Sequence, residues 1–184
     1  YSLISLKNLI EKVNMKIDDF GFNSINGGSI WLNIKNNKVN HCKKLNKYID
    51  LEYKEKIHLP QTYIKYFKKV FKHASSLKKT IQKLKKRNNL IYGYGASTKG
   101  NVLLQLAKLN AEEITKIVDV NPYKFGRITP VSNIEIAKEK ELNSKKIKYV
   151  LLLIWHLKNH SLKKIKNLNK KLKIIIPFPK IKIL

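Results

Sequence analysis

Apolar and polar positions follow one spacing in the first half of this chain and another in the second. Leu3, Leu6, Leu9, Ile10 and Val13 recur at helical steps behind Ser2, a good N-cap residue, and predict a helix running to about Val13. Lys16 to Phe22 and Ser29 to Ile34 read as two strands, with Asn26-Gly27-Gly28 in the bend between them. From about Val39 to His58 the pattern is polar and mostly helical, with Leu45, Tyr48, Ile49 and Leu51 as its apolar points. Pro60 suits the first turn of a long amphipathic helix in which Tyr63, Phe67, Val70, Phe71, Ala74, Leu77, Ile81 and Leu84 share one face. Past Asn88 strand-like runs take over: Leu90 to Tyr92, Ile114 to Val120, Ile134 to Ile136, Lys148 to Trp155 and Leu172 to Ile176. Helical stretches at Val102 to Leu109 and near Asn159 to Asn169 separate them. Continuous β-branched runs between amphipathic helices predict an α/β fold, a doubly wound parallel sheet covered on both faces.

In such sheets ligands lie beyond the carboxyl ends of the strands, which singles out four loops. The first follows Leu90-Ile-Tyr-Gly-Tyr-Gly-Ala-Ser-Thr-Lys-Gly-Asn101. Of seven glycines in the chain, Gly93, Gly95 and Gly100 fall in this one window. Glycine there lets the backbone take positive φ and approach an anion, while the next helix points the positive end of its dipole at it. Two stricter motifs are absent: a dinucleotide fingerprint wants glycine where Thr98 stands, and a Walker loop wants Lys and Ser/Thr after the last glycine, where Asn101 stands. The window therefore predicts a site for a phosphorylated ligand of another kind, with Ser97, Lys99 and Asn101 beside the three glycines. A tight strand-to-helix turn without a ligand is the plainer alternative.

The second loop begins at Asp119, about where a Rossmann domain puts the acid that binds a ribose hydroxyl. It continues through Lys124 and Gly126 to Pro130, stiffened by two of the five prolines. The third is Trp155-His156, at the end of the most apolar strand, and the fourth is Pro177-Phe178-Pro179. Plainer uses exist for each: Asp119 as a turn cap, Trp155 as core, His156 as a surface residue. No His, Cys or acid cluster has metal-ligand spacing, and no Ser/His/Asp set can be placed.

Charge changes this picture little. A net charge of +27 would ordinarily suggest nucleic acid or anionic lipid. Yet Arg87 and Arg127 are the only arginines among 39 basic residues, and bidentate recognition of phosphates or base edges favours arginine. Lysine is spread along the whole chain, which reads as a solvated coat and not as a nucleic-acid surface. No apolar run approaches a membrane span, the longest being Tyr149 to Trp155, and Cys42 stands alone, so a cytoplasmic protein without membrane or disulfide is expected. Tyr1-Ser-Leu-Ile-Ser-Leu has neither an initiator Met nor a leader, so a piece of a longer chain is expected.

Taken together, Gly93 to Asn101, Val118 to Pro130, Val150 to His156 and Ile176 to Pro179 resemble, in order and spacing, the C-terminal domain of the sugar-nucleotide C-methyltransferases. The opening helix and Asn26-Gly-Gly-Ser-Ile30 resemble the last helix and closing hairpin of that family's class I methyltransferase domain. Val131 and Asn26 stand where the family often has Gly and His. The resemblance implies three parts: residues 1–36 as the end of a methyltransferase domain, 37–88 as a helical connector, and 89–184 as a Rossmann-like nucleotide-sugar-binding domain. It implies a parent enzyme that takes a proton from a sugar carbon beside a carbonyl and methylates that carbon with S-adenosylmethionine. The cofactor loop, a Glu-His base and a possible zinc domain would all lie upstream of Tyr1, so these residues alone are expected to be inactive. The substrate-binding residues implied are Gly93, Gly95, Ser97, Lys99, Gly100, Asn101, Asp119, Lys124 and His156. The competing readings are an NAD(P)-dependent oxidoreductase domain and a non-catalytic nucleotide-binding module.

Overall fold

The computed structural model describes residues 1–36 and 40–184, with every side chain there except that of Asn26. Val39, and with it the first residues of the expected connector, lies outside them. The described residues divide into two compact units, Tyr1–Lys69 and Val70–Leu184.

In the first unit, α1 (Leu3–Lys12) starts from a capping box in which the Ser2 hydroxyl accepts the Ser5 N–H. The Glu52 carboxylate adds two more bonds at the same end, accepting the Leu3 and Ile4 N–H groups at 2.7 and 2.8 Å. β1 (Met15–Asn23) and β2 (Ser29–Asn36) form an antiparallel hairpin. Leu3, Ile10, Ile17, Phe20 and Leu45 of α2 (Lys43–Lys54) make its core. His41 ties the pieces together: its Nδ1 accepts the Ile17 N–H and its Nε2 lies 3.0 Å from Glu11, so the ring donates to that carboxylate. His41 first, and then Lys7, hold the Glu11 carboxyl down to about 2. Leu9 and Val13, which share the apolar phase of α1, are exposed, as are Phe22 and Trp31 of the hairpin.

α3 (Pro60–Lys85) is one continuous helix. Its apolar stripe is used over half its length. Ala74, Leu77, Ile81 and Leu84 are buried in the second unit, whereas Tyr63, Phe67 and Phe71 in the same phase are exposed.

The second unit is a six-stranded sheet: β3 (Leu90–Tyr94), β4 (Ile117–Asp119), β5 (Ile136–Lys138), β6 (Ile147–Leu152), β7 (Lys173–Ile176) and β8 (Lys182–Ile183). The order is β5-β4-β3-β6-β7-β8, parallel except for the antiparallel edge strand β8. Strand alternation divides the core. Ile91, Leu151 and Ile175 face α3 and α4 (Thr98–Leu106), while Tyr92, Val150, Leu152 and Ile174 face α5 (Lys158–Leu168). Both faces are thus covered, as the unbroken apolar runs predicted. Bounds differ in places. Ile114 is buried but sits in a turn, its N–H bonded to Asn110 O, so β4 is three residues long. α4 begins at Thr98, four residues before the apolar periodicity starts, because Ser97 caps it.

One position is strained. Val131 has φ +67° at the centre of a turn in which the Ser132 N–H bonds back to Pro130 O. A β-branched residue there costs about 1 to 2 kcal/mol. Its side chain is 75% exposed and loses little when removed. Val131→Gly is therefore expected to stabilise the second unit by about 1 kcal/mol in chemical denaturation, and a loss of stability would show the turn to be relaxed.

Candidate functional site

The chain moves outward from β3 through β4 to β5 and then returns to the other side of β3 as β6, so the crevice where the order reverses opens beyond the carboxyl ends of β3 and β6. Gly95 and Ala96 leave β3 there, and Leu153 to His156 leave β6.

The three glycines of the window have different duties. Gly93 is a buried strand residue, and a Cβ on it would meet Ile117 Cγ1 at 2.8 Å and Leu153 Cδ1 at 3.0 Å. Gly100 lets α4 lie close on the sheet, since a Cβ would stand 2.9 Å from that of Leu153. That is the packing duty of the third glycine in a dinucleotide fingerprint, moved two residues beyond Thr98. Gly95 makes the turn, with φ +90° and Ile154 pressed against it. The glycines thus shape the site from below, and the groups that face outward are those at the start of α4.

Ser97 caps α4, its Oγ accepting the Gly100 N–H at 3.0 Å, which leaves the hydroxyl proton to donate. Lys99 follows in the first turn, exposed. Asn101 Oδ1 and His156 Nδ1 are buried atoms with no hydrogen-bond partner among the described residues. Burial first, and then the Lys99 ammonium, push the His156 ring below its usual value, so it is uncharged at neutral pH. An anion arriving here would meet one cation, a helix dipole and a neutral imidazole.

Asp119 and Lys124 are placed otherwise than as free ligand groups. The Asp119 carboxylate is 8% exposed; its Oδ2 accepts the Ala96 N–H at 2.7 Å and lies 3.2 Å from Lys124 Nζ, and its Oδ1 accepts the Asn121 N–H at 2.8 Å. Lys124 Nζ also donates to Ala96 O at 2.7 Å. Both backbone groups of Ala96, in the glycine turn, are therefore bonded to the β4 loop, which clasps the turn in place.

A hollow lies on each face of the turn. One, of about 250 Å³, is walled by Val102, Leu103, Leu106, Trp155 and Phe178, with Thr98 and Lys99 at its edge. The Trp155 and Phe178 rings are 4.9 Å apart, and His73 stacks on Phe178 at 4.6 Å while its Nε2 donates to Pro177 O. The other, of about 270 Å³, lies on the α5 side, between Tyr94, Gly95, Asp119, Ile154, Leu157 and Ser161. Sequence reasoning marked Trp155 and the Pro-Phe-Pro loop but missed His73 and Ser161. A serine early in a lysine-rich helix gives no signal of its own.

Among the described residues no group of three His, Cys, Asp or Glu side chains is arranged to hold a metal, and no helix is long and apolar enough to cross a membrane.

A mostly parallel six-stranded sheet with this order, reversing at a glycine turn, puts the second unit in the Rossmann-like α/β class. Comparison with known proteins is more particular. Residues 24–179 match the model of the C-methyltransferase C-terminal domain, and the chain belongs to that family. It is similar to the C-methyltransferase NovU of Streptomyces niveus, 25% identical over 158 residues, 85% of this chain and 38% of that protein. The chain thus spans well under half the length of the curated relative it matches.

Proposed function

We propose that this chain is the substrate-holding part of an S-adenosylmethionine-dependent C-methyltransferase acting on a nucleotide-linked ketosugar. Family membership supports the methyltransferase role. The observation that carries the rest is the start of α4: a helix N-terminus at the switch point of the sheet, with Ser97, Lys99 and Asn101 grouped on it and the uncharged His156 nearby. The diphosphate lies there, Gly95 holding the turn open and Gly93 and Gly100 seating it on the sheet. Asp119 and Lys124 serve by clasping the turn.

S-adenosylmethionine supplies the methyl group. These residues make it no ribose acid, since the carboxylate of Asp119 is already bonded to Ala96, Asn121 and Lys124, and its place in this reading is another part of the parent protein. The base, and any zinc, belong there too. Residues 1–36 are read as the closing helix and hairpin of that methyltransferase part. An isolated two-stranded hairpin is marginal, and the exposed Leu9, Val13, Phe22 and Trp31 are what a sheet with further neighbours would cover. The contribution of the chain to catalysis is orientation: anchoring the nucleotide fixes the sugar, and remote binding of this kind lowers a barrier by several kcal/mol. A cytoplasmic setting accords with such a substrate.

Calorimetry with a deoxythymidine or uridine diphosphate sugar tests this reading. The chain should bind, and Lys99→Ala, which deletes one charge-assisted contact, should weaken binding by roughly one to two powers of ten at low salt. If NADH raises the melting temperature and the nucleotide-sugar does not, the chain is an oxidoreductase domain. Unchanged affinity in Lys99→Ala would move the diphosphate away from α4.

A further inference from the structure

We infer that the hollow on the α5 side of the glycine turn is a nucleoside pocket, and that the Ser161 hydroxyl reads the polar edge of the base; this deepens the nucleotide-sugar reading and rests on it. Ser161 is 1% exposed, on the first turn of α5, and its Oγ has no hydrogen-bond partner among the described residues. A serine or threonine inside a helix can donate to the carbonyl four residues back, as the more exposed Ser76 and Thr80 do in α3. Ser161 makes no such bond, although burial of an unpaired hydroxyl is costly.

The walls define what the hydroxyl is kept for. Val118, Val120, Ile154 and Leu157 present apolar surface, which suits a planar ring. The charges around the hollow are already matched. Asp119 pairs with Lys124, and Glu139 pairs with Lys164 at 2.8 Å and accepts the Tyr94 hydroxyl. His160 adds a titratable ring at the rim. An inorganic anion would meet the Asp119 carboxylate in the wall and a Lys164 ammonium already paired with Glu139, and a wholly apolar ligand would leave Ser161 unsatisfied. A neutral heterocycle with a hydrogen-bonding edge meets both conditions.

Size and position agree. About 270 Å³ is just below the range of sites for drug-sized molecules, roughly 300 to 1,000 Å³, so it suits one nucleoside and not a dinucleotide. Gly95 lines the hollow, so a base held here hands its phosphates directly to the turn. The aromatic hollow on the opposite face is less suited to a base, because its floor lacks a polar group to pair with a buried ring edge.

The test is calorimetry of the chain with uridine, deoxythymidine and adenosine diphosphates and with the corresponding nucleotide-sugars. Ser161→Ala should melt at or above the parent temperature, since it removes an unpaired group, yet bind nucleotide roughly tenfold more weakly. Val120→Trp, at the half-exposed rim, should close the hollow without touching the core and abolish binding. If the parent binds nucleotide-sugar and both variants bind it as tightly, the nucleoside lies elsewhere: this inference falls and the wider reading stands. If the parent binds none of these nucleotides, both fall. A Ser161→Ala variant that loses stability along with affinity would make Ser161 a structural residue and also overturn the assignment.

Discussion

Asp119→Ala is expected to lower the stability of the second unit by about 3 kcal/mol. Its carboxylate accepts two backbone N–H groups and pairs with Lys124, and deletion leaves the Ala96 and Asn121 amides without acceptors at a site that is mostly closed to water. Breaking a buried charged pair by removing one partner costs about 3 to 5 kcal/mol, and the low end applies because Lys124 is more than a third exposed and can be rehydrated. Asp119→Asn keeps the shape and one acceptor, so about half the loss is expected. Chemical denaturation measures both. A ribose ligand and a clasp predict opposite patterns: loss of affinity at full stability for the ligand, loss of stability before any ligand is added for the clasp. Full stability in Asp119→Ala would return the residue to the ribose.

The clasp shows where sequence reading stops. Asp119 was found from its position at a strand end, which periodicity gives, but its partner Ala96 lies 23 residues away and carries no signal. The parallel sheet was legible because strands buried on both faces are written as unbroken β-branched runs. Its exact pairing was not. Ile114 is as buried as any strand residue and plugs the core from a turn, and period reports burial, not ladder bonds. β8, two residues at an edge, is too short to carry a period. In α3 the apolar phase runs the full length of the helix, and no local property of Tyr63 or Phe67 distinguishes them from the buried Leu77 and Ile81. The expected start of α4 at Val102 followed the apolar periodicity, which begins only past Gly100, while the structure has Gly100 inside the helix, in contact with Leu153.

Gly95→Ala is expected to cost about 3 kcal/mol, from two sources that can be separated. φ at Gly95 is +90°, a conformation that costs an L side chain about 1 to 2 kcal/mol. A Cβ would also stand 2.7, 2.8 and 3.0 Å from Cγ2, Cγ1 and Cδ1 of Ile154, and overpacking of this kind costs about 1 to 3 kcal/mol. Gly126 has φ +73° and nothing within 4 Å of its would-be Cβ, so Gly126→Ala carries the backbone term alone and should cost about 1 kcal/mol. The difference between the two variants in chemical denaturation isolates the contact with Ile154. All three close atoms belong to that one side chain, so Ile154→Ala in the Gly95→Ala background should recover most of the steric part, giving a coupling of about 1 to 2 kcal/mol in a double-mutant cycle. Nucleotide affinity should follow the same order, because the turn that Gly95 makes is the floor between the α5 hollow and the start of α4. Equal losses in Gly95→Ala and Gly126→Ala, with no coupling to Ile154, would mean that the crevice gives way to the added methyl group and that the turn is not held by β6.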